Sequence, residues 1–430
     1  MFGSRHLTGE RLGLAALIFV NVIVSCISLV YVLGFYKHLG YDPGRLPGAV
    51  AAVALLLPIV FLFAFAEFSF GYFVGFYFSS MIVGYVWLSF FSSLNYDRLL
   101  AGFSAVASLV AFLLPALFIS SPIERTRMMS LRAFDRLLIV ILLFCVVTAI
   151  VGASYNFKLV NPDYASDLRA DPFPRALNYF IAMSMSSLLP FLFACFLARR
   201  ASWLAIATLA LFFLYYPISM SKVAFFAPVW LVLMALLSRM FGVRSAVVLS
   251  LLLPTSAGIF LYFLLTNHIV PLEFIVRFFV NVNIRMVAIP SIAMDVYNEF
   301  FSSHPLTYFC QIQIVKSLVD CPYQDQLSIV MLKNYPFGGN FNASLFATEG
   351  IASLGSAFAP VSALAAGLVF ALANRLSAGL PPWFVLMSGA ILVQVLVNTP
   401  LSTTLLTHGA GLLFLLWYIT PRSIFAKSSI

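Results

Sequence analysis

Long apolar runs, separated by only a few polar residues, recur from one end of this 430-residue chain to the other. A run of about 20 such residues crosses the hydrocarbon core of a bilayer as a helix, because lipid offers no partner to an open backbone. Runs of this kind fall near 12–35, 48–66, 70–92, 99–119, 137–154, 177–198, 202–218, 223–238, 245–265, 347–372, 382–398 and 403–420. The sequence therefore predicts about twelve spans. Its composition is 62% hydrophobic and 9% charged, against about 45–50% and about 25% in soluble domains. So few charges cannot cover a water-exposed surface. Disorder, a disulfide-dense secreted scaffold and a nucleic-acid-binding module are excluded by the same balance. The fold class is an all-α polytopic membrane protein.

Charge placement predicts the sidedness. With the N-terminus in the cytoplasm, thirteen of the 24 Lys and Arg residues fall on inner segments, all of them short. The stretch Glu124–Arg136 is the strongest inner marker. Long segments are exempt from the positive-inside rule, and the largest outer one is long. Both termini are thus expected in the cytoplasm, and the net charge of +9 calls for no nucleic acid. The first run is too long for a signal-peptide core and lacks a small-residue cleavage site, so it is expected to be retained.

Three regions follow: a bundle over 1–265, a large external segment over 266–346, and C-terminal spans over 347–430. Connections longer than about 12–15 residues are usually functional or disordered. The outer segments near 155–176 and 266–346 both exceed that length, and the second is too rich in aromatic and aliphatic residues for disorder. A folded cap is expected there, with helices that lie along or dip into the membrane. Within it Glu273, Arg277, Asn281 and Arg285 recur every four residues, which lines them along one helix face. Glu273 and Arg277 read as an i,i+4 pair; the sharper reading points Arg277 and Arg285 into a cavity at membrane depth. Asp295, Asn298, Glu299 and His304 follow within ten residues and make the chain's best cluster for general-base chemistry, the plain alternative being a satisfied surface histidine. Neither HxxxH nor DxD spacing occurs there, so no metal and no cofactor is predicted.

Cys310 and Cys321, eleven apart, are either a disulfide of an oxidising compartment or two free thiols. Cys26, Cys145 and Cys195 lie in apolar runs and read as packing residues. Gly338 and Gly339 permit a backbone that a ligand can approach closely, and Glu349 sits among small residues that let helices pack tightly. Lys222 follows Pro217 at a tight outer turn, where it either snorkels to the head groups or holds a phosphate.

Four of these features together carry a resemblance: Ser221–Lys222, an RxxxxP pattern at Arg285–Pro290, YxEFF at Tyr297–Phe301, and GGNFNASxxxxEG at Gly338–Gly350. Over about 215–375 the chain resembles the bacterial oligosaccharide repeat-unit polymerases, the Wzy-type O-antigen and exopolysaccharide polymerases. These are similar to the metal-independent, polyprenyl-phosphate-using glycosyltransferases of the C superfamily. The resemblance implies undecaprenyl-diphosphate-linked oligosaccharides as substrate, joined on the periplasmic side of the inner membrane, with a chain-length-regulating membrane protein as a partner. In that role Arg285, Arg277 and Lys222 would stabilise charge developing on the diphosphate leaving group. Glu299, His304 or Glu349 would take the proton of the acceptor hydroxyl. Asn340, Asn342 and the Gly338–Gly339 backbone would hold sugar hydroxyls, with Tyr297, Tyr308 and Tyr335 as stacking faces. A lipid-linked-oligosaccharide flippase is the runner-up, although the sequence shows no repeat between its halves and no matched pair of broken spans. A glycan ligase would share the architecture. A membrane O-acyltransferase would want an intramembrane histidine, for which His408 alone stands.

Overall fold

The structure is a computed structural model that describes residues 2–124, 129–161, 173–267, 269, 271–312, 315–336, 341 and 346–425. It is α-helical; among the described residues the only extended pairing is a single antiparallel bridge between Leu39 and Ser92. In chain order the helices are α1 (Phe2–Val32), α2 (Leu46–Val60), α3 (Leu62–Phe65), α4 (Phe70–Ser89), α5 (Arg98–Phe118) and α6 (Leu131–Tyr155). Next come α7 (Arg175–Met183), α8 (Leu189–Ala198), α9 (Ser202–Ser219), α10 (Lys222–Phe241), α11 (Val243–Thr266) and α12 (Leu272–Phe279). The last are α13 (Ile289–Ser303), α14 (Leu327–Asn334), α15 (Ala347–Ser377), α16 (Pro382–Leu396), α17 (Leu401–Leu406) and α18 (Ala410–Ile419). Polar caps open several of them: Ser69 Oγ accepts from the Tyr72 amide and Asp97 Oδ1 from the Leu100 amide, each at 3.0 Å. Among the described residues eleven helices are long and apolar enough to cross a membrane, and α16 and α18 are shorter apolar helices. The chain is a multi-pass membrane protein.

It divides into two compact units. The first comprises Met1–Ile119, Arg244–Ala371 and Leu396–Leu401; the second holds the remaining segments. In the first unit α4 is the central helix, buried along nearly its whole length. Gly84 lets α13 close on it, since a Cβ there would meet Ser291 Oγ at 2.3 Å. Gly258 of α11 does the same for Asn283, whose Oδ1 would lie 1.7 Å from a Cβ.

The path of residues 272–303 departs from a simple span. α12 continues through π-helical turns at Val280–Ala288 into α13, and by length and composition Arg277–Ser303 could cross a bilayer. Its contacts say otherwise. At one end Phe279 packs on Phe35, just beyond α1, and on Tyr262 near the end of α11. Toward the other end Asp295 accepts hydrogen bonds from Ser92 and Tyr96, in the connection after α4. That connection is tied to the one after α1 by Gly40 N to Phe91 O (2.9 Å) and Ser93 N to His38 O (2.8 Å). Both ends therefore meet one face of the unit. The middle lies deeper: Asn283 Nδ2 donates to Ser28 Oγ of α1 at 2.8 Å and to the Thr255 carbonyl of α11 at 2.9 Å. The segment dips obliquely among α1, α4 and α11 and returns.

α15 is re-entrant as well. Phe346, just before it, stacks on Phe112 of α5 with ring centroids 4.8 Å apart, well inside the bundle. The first arm climbs to Gly355, where φ of +75° reverses the chain, a conformation costly to any residue with a Cβ. The second arm then descends along α5, from Ser104, whose hydroxyl donates to the Ser356 carbonyl, to Gly367 against the Phe112 carbonyl. In the second unit α6 and α9 are stitched by Tyr215 OH to the Cys145 carbonyl (2.7 Å). A second π-helical stretch, Ser184–Leu188, joins α7 to α8. The final expected span is two pieces, α17 and α18, broken at Thr407–Gly409.

Candidate functional site

α13 gathers the polar chemistry of the first unit. Asp295 is fully buried. A carboxylate there must be satisfied by donors, and two hydroxyls supply them: Ser92 Oγ donates to Oδ2 at 2.6 Å, and Tyr96 OH donates to Oδ1. Burial, reinforced by the Asp295 charge, pushes the Tyr96 phenol far up, so it keeps the proton it donates. The Tyr96 hydroxyl is 3.3 Å from that of Tyr85, which accepts from Asn298 Nδ2 at 3.4 Å; Asn298 Oδ1 in turn accepts from Ser356 Oγ at 2.6 Å. Arg98 closes the loop by donating to the Ser92 and Leu94 carbonyls, each at 2.8 Å. One network thus ties α4, its following connection, α5, α13 and the reversal of α15.

One turn beyond Asp295, Glu299 is half-buried. His304 ends α13, exposed, its ring stacked on Phe300 at 3.9 Å and 7°. Its Nδ1 is 2.8 Å from the Phe300 carbonyl. A carbonyl only accepts, so in the neutral ring the proton sits on Nδ1 and the lone pair on Nε2. Glu299 is near enough for its charge and that of His304 to act on each other. The arrangement is a carboxylate and an imidazole able to accept a proton from an incoming hydroxyl.

The cationic stripe is on the same continuous helix. Arg277 is exposed, with Nη2 3.9 Å from Glu273 Oε2, the i,i+4 pair in a loose form. Arg285 is exposed too and acts on Tyr36, whose hydroxyl burial pushes up to about 12 against the pull of the guanidinium. A four-residue spacing drifts one way on α-turns and the other way on wider π-turns, so the π-helical stretch counteracts the winding of the stripe. Arg277 and Arg285 accordingly stay close to one line along the segment.

Other expected site residues fall differently. Tyr297 and Tyr335 offer no stacking face: they are 0% and 8% exposed, because Tyr297 OH donates to the Phe341 carbonyl at 3.2 Å and Tyr335 packs beneath Phe300. Glu349 Oε2 accepts from the Leu401 amide at 3.2 Å. That contact gives a reason for a carboxylate among apolar neighbours, since it holds the start of α17 after the break at 397–400. Lys222 is the first residue of α10, half-buried, after a left-handed Met220 (φ +49°); it belongs to the second unit. Asn340, Asn342 and the Gly338–Gly339 pair lie outside the described residues. Cys310 and Cys321 form a disulfide with Cα atoms 5.3 Å apart. Among the described residues no group of three or more His, Cys, Asp or Glu side chains could hold a metal ion.

The sequence analysis gave no role to Ser92, at the end of the expected span 70–92, or to Tyr96 and Arg98 in the short connection after it; the polar run Asn95–Arg98 between two apolar stretches was the available signal. It also passed over His38, buried in the connection after α1, where burial lowers its pKa to about 4. Compared with family models, with curated proteins and with solved structures, the chain matches none of them. Fold and site together define a multi-pass α-helical membrane protein with a polar site at one end of a dipping helix.

Proposed function

We propose that the protein is a glycosyltransferase that joins oligosaccharide units carried on a polyprenyl diphosphate, the repeat-unit polymerase its motifs resemble, in the bacterial inner membrane. The observation that carries this reading is the division of labour along α12–α13. Arg277 and Arg285 are exposed at one part of the helix, while Glu299 and His304 stand at its end. Exposed guanidiniums suit a diphosphate leaving group. As the bond from sugar C1 to the diphosphate oxygen breaks, the acceptor hydroxyl attacks C1 and gives its proton to Glu299 or to Nε2 of His304. These lie about 20 Å along the helix from Arg285, so the guanidiniums would hold the carrier diphosphate at the approach to the site. The undecaprenyl chain would lie among the apolar helices, and the dipping path of 272–303 supports a site near the outer head groups. In this reading the face bearing the ends of α1 and α4 is periplasmic, and both termini are cytoplasmic.

A flippase for the same lipid-linked units is the second reading. The reversal at Gly355 and the break at 397–400 favour it, because interrupted helices mark many transport sites. Deleting the gene in its host separates the two. A polymerase deletion leaves single repeat units on the surface; a flippase deletion leaves no surface glycan and traps lipid-linked units inside. For the polymerase, Arg285→Ala is expected to abolish chain extension while the protein still inserts. Normal chain length in that variant removes Arg285 from the mechanism.

A further inference from the structure

Beyond His304 the chain enters a turn with two consecutive aromatic residues in the left-handed region, Tyr308 at φ +47° and Phe309 at φ +62°. A bulky side chain rarely adopts this backbone, and such strain persists only where the surroundings impose it. They do so here. Thr307 N donates to the Ala352 carbonyl at 2.8 Å, Thr307 Oγ1 lies 3.0 Å from Ser353 Oγ, and Cys310, which follows Phe309, is buried and disulfide-bonded to Cys321. The result of this strapping is an outward ring: Tyr308 is 59% exposed, whereas Tyr297 and Tyr335 are buried. Its exposed neighbours in the chain are Ser302, Ser303, His304, Pro305 and Gln311. No Lys or Arg occurs between Arg285 and Lys316.

We propose that Tyr308 is the platform on which a sugar ring of the acceptor glycan stacks, four residues from His304, in a subsite that recognises uncharged carbohydrate. This rests on the glycosyl-transfer reading. An aromatic face meets the apolar C–H face of a pyranose while nearby hydroxyl, amide and imidazole groups serve its hydroxyls. A phosphate or an anionic lipid head group would call for cations, and this stretch has none. An interfacial membrane residue would need no costly turn, since an aromatic ring on relaxed backbone serves equally.

The test uses the full-length protein in nanodiscs and the host deletion strain. The probe is the repeat-unit oligosaccharide released from the host's own lipid carrier by mild acid. Tyr308→Phe is expected to bind it as the wild type does, and Tyr308→Ala about tenfold more weakly, with shorter surface glycan. Tyr308→Gly relaxes the left-handed turn, so it is expected to be at least as heat-stable as the wild type and yet bind as weakly as the alanine variant; it keeps the test open should alanine misfold. Wild-type binding and chain length in the glycine variant, alongside short chains in His304→Ala, overturn the platform and leave the polymerase reading standing. Unchanged glycan on deleting the whole gene overturns the polymerase reading itself. Quenching of Tyr308→Trp fluorescence by brominated lipid, with no response to the oligosaccharide, overturns the platform in favour of an interfacial ring.

Discussion

A single buried carboxylate organises much of the first unit. Asp295 takes both of its donors from one connection, so Asp295→Ala deprives the hydroxyls of buried Ser92 and half-buried Tyr96 of the acceptor they share. The expected cost is about 1–3 kcal/mol, read as a lower unfolding temperature in detergent, with Asp295→Asn costing less because its amide oxygen still accepts. Equal losses in the two variants would show that packing, not hydrogen bonding, dominates. His38 gives a pH dependence with a definite sign. Burial depresses its folded pKa to about 4, below about 6.5 in an unfolded chain, so the unfolded state binds the proton first. Its contribution is fully present above pH 6.5 and is lost as the pH falls through 6.5 toward 4. Thermal unfolding from pH 7.5 to 4.5 should show a decline that is shallower in His38→Phe. The carboxylates Asp295 and Glu299 were legible as a cluster with His304 from their spacing alone; that Asp295 is fully buried and Glu299 only partly so was not, because it depends on Ser92 and Tyr96, some 200 positions away in the chain.

At the scale of elements, the close approaches are made by residues that lack a side chain. Gly258→Ala would drive a methyl into Asn283 Oδ1 and break the contact that holds the π-helical stretch against α11 and α1. The expected penalty is about 1–3 kcal/mol, typical of overpacking, and Gly13→Ala, where nothing lies within 4 Å, should be neutral as its control. Thermal denaturation of the pair measures the difference. Neither the π-turns nor the reversal at Gly355 was legible. The polar stripe at 273, 277, 281 and 285 is compatible with an α-helix, and only packing on Tyr262 and Phe35 shows where the turns widen. Gly355 lies among small residues that suit tight helix packing equally well, so its positive φ left no mark in the local pattern.

At the scale of the molecule, the decisive question is how often the chain changes sides. Arg277–Ser303 has the length and apolarity of a span, yet its ends contact the same face of its unit. Single cysteines introduced at Asn267 and Ser303, in a background with Cys310 and Cys321 replaced by serine, should therefore react with a membrane-impermeant maleimide from the same side of the membrane. Labelling from opposite sides would make the segment a true crossing and place the residues around Cys310 and Cys321 with the N-terminus.

The apolar runs alone determined that this chain is a bundle of membrane-spanning helices, and the charges after residue 265 marked the segment that departs from a plain succession of spans. Both are local properties: the cost of an unpaired backbone in lipid is set residue by residue, and so is the cost of a charge. Which polar groups meet was decided only in three dimensions. The pairing of Asp295 with Ser92 and Tyr96, of Glu349 with the start of α17, and the outward turn of Tyr308 all depend on contacts between segments far apart in the chain, and no window of the sequence contains both partners.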